Sequence, residues 1–129
     1  MRTRPDAQRA SAVVEFALVL PLLLVVALAL LQVGLLVRDR LLVEAAARAG
    51  ARAAAVEADD AAIRTTALAA ASDLEPSLAT VQVVRAGTQG DPVTVTIGYD
   101  EAIRIPFVSW LFASGVHLES AATDRQEFG

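Results

Sequence analysis

Glu15 is the side chain with the most to say about function. It is a carboxylate standing one residue before a run, Phe16 to Val37, in which no residue is charged. A charge carried to the centre of a bilayer costs about 2.5 kcal/mol or more unless something pairs with it, so Glu15 must lie in the headgroup zone or meet a cation when the segment leaves lipid. The other residues able to do chemistry are sparse. His117 is the single histidine and the chain has no cysteine, so the sequence offers neither a zinc ligand cluster nor a Ser-His-Asp arrangement, and a partly exposed strand histidine is the expected role. Asp100 and Glu101 are adjacent rather than opposed across a cleft, which makes them solvated strand-end charges and not an acid-base pair. With no nucleophile beside a base, no ligand cluster and no cofactor fingerprint, the sequence argues against an enzyme and calls for no cofactor.

Composition narrows the classes further. The 129 residues allow one membrane segment and one modest folded unit. The hydrophobic fraction of 55% is concentrated toward the N-terminus. All basic charge is arginine. Residues 1–57 carry seven Arg against five acids and residues 58–129 four Arg against ten, so the distal part is acidic. An acidic domain with three Phe, one Trp and one Tyr provides no phosphate-binding patch and no stacking platform, and nucleic acid is excluded as a partner.

The elements that must position these residues follow from periodicity. Phe16 to Val37, interrupted only by Pro21, Gln32 and Gly34, slightly exceeds the about 20 residues a spanning helix needs. A cleaved secretory signal is the competing reading, since Arg2, Arg4 and Arg9 precede the run and Ala27-Leu28-Ala29 imitates a cleavage site; signal cores run only about 7 to 15 residues, however, and the apolar sequence continues beyond it. Arginines on both sides of the run leave orientation undecided by charge counting. Beyond Val37, strong helix formers and the Glu44–Arg48 spacing extend the prediction to one helix from Ser11 to Val56, kinked at Pro21. On it Ala46, Gly50 and Ala54 recur every fourth residue and form a smooth strip for close helix packing.

Asp59 and Asp60 suit the start of a second, amphipathic helix running to about Ser72, with Ile63, Ala67, Leu68 and Ala71 on its apolar side. After Pro76 the period changes to two. Val81 and Val83, then Val93, Val95 and Ile97, alternate with polar residues around a turn-rich stretch from Gly87 to Pro92, and Val116 to about Ala122 supplies a third strand. Ile103 and Ile105 extend or follow the second strand. The fold class is α+β: a long N-terminal transmembrane helix, a second helix and a small antiparallel sheet of about three strands. Between the last two strands, the apolar segment around Phe107, Trp110 and Phe112 is too short to cross a bilayer and is a candidate partner or membrane contact.

The segment Arg9-Ala10-Ser11-Ala12-Val13-Val14-Glu15-Phe16 resembles the class III, type IV prepilin-like signal of the TadE family, and Ala47-Arg48-Ala49-Gly50-Ala51-Arg52 looks like the small, arginine-bearing stretch that follows the span in that family. The resemblance implies a minor pilin or pseudopilin of a Tad, Flp-type pilus system. Residues 1–10 would be a basic cytoplasmic leader, 11–57 the membrane helix and its extension, and 58–129 an extracytoplasmic α+β domain. It implies cleavage between Ala10 and Ser11, with Glu15 pairing with the freed amine of a neighbouring copy in assembly and Phe16 as the aromatic that follows it. The family has Gly before the cut where this chain has Ala10, and an uncleaved, membrane-tethered binding module is the alternative. The implied location is the cytoplasmic (inner) membrane, single-pass, with the N-terminus inside. The implied partners are the membrane, other pilin-like subunits, Tad assembly platform proteins and a prepilin peptidase, in service of adhesion or secretion.

Overall fold

A computed structural model describes residues 4–101, 110 and 115–128, with side chains from Gln8 onward. Helix α1 runs from Arg4 to Val56 as one element and continues through Pro21. It starts earlier than Ser11, the expected start, because residues 4–10 contain nothing that breaks a helix once Pro5 occupies its first turn, where a missing N–H costs no bond. Its end is set by a tight corner in which the Glu57 carboxylate accepts from the backbone N–H of Ala58 at 2.9 Å and of Asp59 at 3.1 Å.

Helix α2 spans Asp60–Ala69 and is capped by Asp59, whose carboxylate accepts from Ala61 N–H. It stops three residues short of Ser72. Thr65 and Thr66 turn their hydroxyls back onto the carbonyls of Ala61 and Ala62, and the chain then tightens into turns closed by Ala71 N–H to Leu68 O and Leu74 N–H to Ala71 O. Side chains that bond the preceding turn in this way compete with the helix ladder.

A short 3-10 turn, Pro76–Leu78, leads into the sheet. Strands β1 (Ala79–Arg85), β2 (Pro92–Glu101) and β3 (Val116–Arg125) form an antiparallel sheet in the order β1-β2-β3. In register, Val93 faces Arg85 and Asp124, Thr96 faces Gln82 and Ala121, and Tyr99 faces Ala79 and Leu118. The third strand runs past Ala122 to Arg125 because β2 begins at Pro92 and offers ladder partners to the end.

Both helices cover one face of the sheet. The core joins Val43, Ala46, Ala47, Ala51 and Ala54 of α1 to Ile63 and Ala67 of α2 and to Val93, Val95, Ile97 and Tyr99 of β2, with Leu118 from β3. Alanines on α1 let the sheet approach the helix backbone, and larger β-branched residues on β2 fill the space this leaves. The opposite sheet face is polar, with Thr94 and Thr123 sharing a hydroxyl hydrogen bond at 2.8 Å. Strand alternation also corrects the reading of Asp100 and Glu101 as two solvated charges, since successive side chains point to opposite faces: Asp100 is exposed while Glu101 is buried.

Candidate functional site: the N-terminal half of helix α1

The N-terminal half of α1 has no buried residue among those described. Its most apolar window is long enough to cross a membrane and none of it is buried. Phe16, Leu18, Leu22 and Leu30 all stand exposed, Leu18 to 75%. A continuous apolar surface of this length on a described helix calls for lipid or for other apolar helices.

At the head of this surface, Ala10 and Ser11 lie within the helix and are exposed, one turn before Glu15. The Ser11 hydroxyl donates to Glu15 Oε1 at 3.2 Å, the i to i+4 spacing that places both on one side of the helix. The carboxylate therefore already has a polar neighbour at the position from which a cleaved chain's amine would begin. Phe16 projects from the adjacent position, 60% exposed. Pro21 removes the N–H that would bond Ala17 O, and with Leu24, Val25 and Leu28 it lines an apolar hollow of about 370 Å³ on the bare helix.

Charge begins where the apolar run ends. Arg38 donates to the Asp73 carboxylate beyond α2 and lies 3.4 Å from Asp39 on its other side. Glu44 stands between Arg40, at 3.6 Å, and Arg48, at 3.8 Å, on successive turns. Neither the Arg38–Asp73 link, which ties the folded domain to the foot of the bare helix, nor the burial of Gln32 was legible as such in the sequence. Gln32 is fully buried, and its amide has no hydrogen-bond partner among the described residues. Its one visible signal is that it is the single amide in an uncharged run.

The other singled-out residues lie elsewhere. Ala46 and Ala54 are fully buried, and a Cβ on Gly50 would sit 2.9 Å from Val95 Cγ1 and 3.1 Å from Ala67 Cβ, so the small-residue strip is covered by this chain's own β2 and α2. Trp110 is 73% exposed, whereas Phe107 and Phe112, like Ile103 and Ile105, lie outside the described residues. His117 sits half exposed on β3, its Nδ1 2.8 Å from Asp100 and its Nε2 3.6 Å from Glu119. The hydrogen bond that the ring donates to the Asp100 carboxylate, together with that carboxylate's charge and the contact with Glu119, raises the imidazole pKa above its ordinary value. Among the described residues no group of three or more His, Cys, Asp or Glu side chains is placed to hold a metal ion.

Residues 10–52, about a third of the chain, match the family model described as TadE-like protein. The match covers Ala10, Ser11, Glu15, the bare helix and the first part of the helix that packs on the sheet. No curated protein and no solved structure matches the chain.

Proposed function

We propose that this chain, TadE-like over residues 10–52, is a minor pilin or pseudopilin of a Tad pilus system, held in the cytoplasmic membrane by the N-terminal half of α1. The observation that carries the reading is a coincidence of two boundaries. The family match opens at the residue before the Ser11–Glu15 pair and runs along the length of helix that is bare and apolar. An anchor alone needs only the apolar run. A subunit that leaves lipid for a helical assembly also needs a partner for the charge of Glu15 at the edge of that run, and the freed Ser11 amine of a neighbouring copy would supply it. The value of such a pair lies in register, since a misplaced neighbour leaves the carboxylate unpaired in a dry environment.

In this function α1 stores the subunit in the membrane with its N-terminus inside, and the acidic α+β domain lies outside. The partners are other pilin-like subunits, the assembly platform and a prepilin peptidase acting between Ala10 and Ser11. Intact mass and N-terminal sequencing of the protein recovered from its native membranes test it. A mature chain beginning at Ser11 is expected. An intact Met1 end would leave a tethered module that is never processed, and a start near Leu30 would remove the anchor.

A further inference from the structure

The two outer strands of the sheet run in the same direction. Each pairs antiparallel with β2, so β1 and β3 are parallel to one another. Both end near the C-terminus of α1: the Arg85 guanidinium reaches the carbonyls of Glu57 and Ala58, and Glu127, just after β3, donates its N–H to Ala55 O at 2.7 Å. The strands thus point away from the bare half of α1. Among the described residues no backbone–backbone hydrogen bond leaves the outer edge of either strand, and the Arg64 guanidinium donates to Ala79 O at 3.3 Å only at the start of β1. Edge strands are commonly blunted by charge, proline or a bulge, yet β1 from Ala79 to Val84 is uncharged, lacks proline and pairs with β2 without a bulge.

The geometry points to a head-to-tail contact between copies of this chain, in which β3 of one copy pairs in parallel with β1 of the next. This rests on the proposed membrane anchoring, because copies that share one bilayer share one orientation. Antiparallel pairing of two like edges would turn one copy upside down. Parallel pairing of like edges requires a half-turn about the strand direction, which puts the helix-covered faces of the two copies on opposite sides of the joined sheet, so neither Arg85 nor Asp124 gains an opposite charge from the neighbour's edge. The β3 to β1 junction instead sets Asp124 level with Arg85 of the neighbour, since both are register partners of Val93 and lie on the same face. Asp124 forms no ion pair among the described residues, while Arg85 holds Asp60 at 2.8 Å and would take a second carboxylate. Because the two joined edges differ, the contact repeats from copy to copy and does not close in a pair.

The chain has no cysteine, so introduced thiols report the contact cleanly. Gln82 and Ala121 are exposed and share Thr96 as register partner. Within one copy they lie two strand spacings apart, about 9.6 Å, beyond the roughly 7 Å limit for a disulfide. In a β3 to β1 junction they become neighbours. Oxidation of a Gln82→Cys, Ala121→Cys double variant in native membranes is expected to give a ladder of dimers, trimers and larger species. Each single variant alone is expected to stay monomeric, and adding Asp124→Arg to the double variant is expected to weaken the ladder several-fold. A dimer from either single variant, a product containing a different protein, or monomer alone would overturn the contact. Alkaline extraction of the same membranes separates the premise from the proposal: a retained chain that gives only monomer sinks the edge contact, whereas a chain released by alkali sinks the anchoring on which it rests.

Discussion

Arg38, the first charged residue after the apolar run of α1, donates to the carboxylate of Asp73, which lies in the turns that follow α2. The pair links the foot of the domain to the point where the helix would leave lipid, and it is the described ion pair nearest the apolar run that joins two separate segments. Both side chains are substantially exposed, 44% and 60%, so solvent screening holds the contribution to about 1 kcal/mol or less. Asp73→Asn should therefore lower the thermal midpoint of the detergent-solubilised protein only slightly, and less in high salt. A large loss would mean that Arg38 has no other way to be satisfied.

At Gly50 helix α1 approaches both β2 and α2 closely. An added methyl would meet Val95 Cγ1 at 2.9 Å and Ala67 Cβ at 3.1 Å, both inside a packed core. Overpacking of this kind costs about 1 to 3 kcal/mol. It should exceed the gain in helix propensity, about 1 kcal/mol, that Ala brings over Gly. Gly50→Ala should thus lower stability in denaturant unfolding, Gly50→Val more so, and Val95→Ala should recover part of the loss in the Gly50→Ala background. If Gly50→Ala proved stabilising, the close approach of β2 to α1 would be wrong.

The order of elements was legible because the hydrophobic period changes along the chain: continuous from Phe16 to Val37, helical through Ile63 and Ala67, then two-fold through Val93, Val95 and Ile97. The Glu15 neighbourhood was legible for the same reason, an isolated charge against an apolar run. What escaped were relations between distant residues. Nothing in the sequence tells that Arg38 meets Asp73, that Arg85 closes the corner between α1 and α2, or that the Ala46-Gly50-Ala54 strip faces the chain's own sheet, because each depends on how α1 crosses β2. Glu101 was misread beside Asp100 because adjacency in sequence suggested a shared environment, whereas a strand sends neighbours to opposite faces.

His117 should titrate above the ordinary imidazole value, with its hydrogen bond to Asp100 as the main cause. A folded pKa raised above the unfolded one means that the charged interaction contributes fully below the unfolded value and is lost as pH rises through the folded value. The domain should therefore be slightly less stable on the alkaline side of that window. Following the His117 ring resonances through a pH titration checks this directly, and Asp100→Asn should bring the midpoint down. An unchanged midpoint in that variant would place the cause elsewhere.

Ala10 lies inside α1, so any peptidase that cuts between Ala10 and Ser11 must first receive an unwound backbone. Glycine is less favourable than alanine in a helix by about 1 kcal/mol, which makes local unwinding up to about fivefold more frequent if unwinding precedes the cut. Glycine also removes the methyl at the position where the resembled signal has none. Ala10→Gly is accordingly expected to raise the fraction of chains that begin at Ser11 in a pulse-chase with mass readout, while leaving the fold of residues 58–129 unchanged because that sheet packs on α1 from Val43 onward. Equal processing of both forms would show that unwinding at residue 10 does not limit the cut. If neither form is processed, this chain works as an uncleaved anchor and Glu15 has no freed amine to meet.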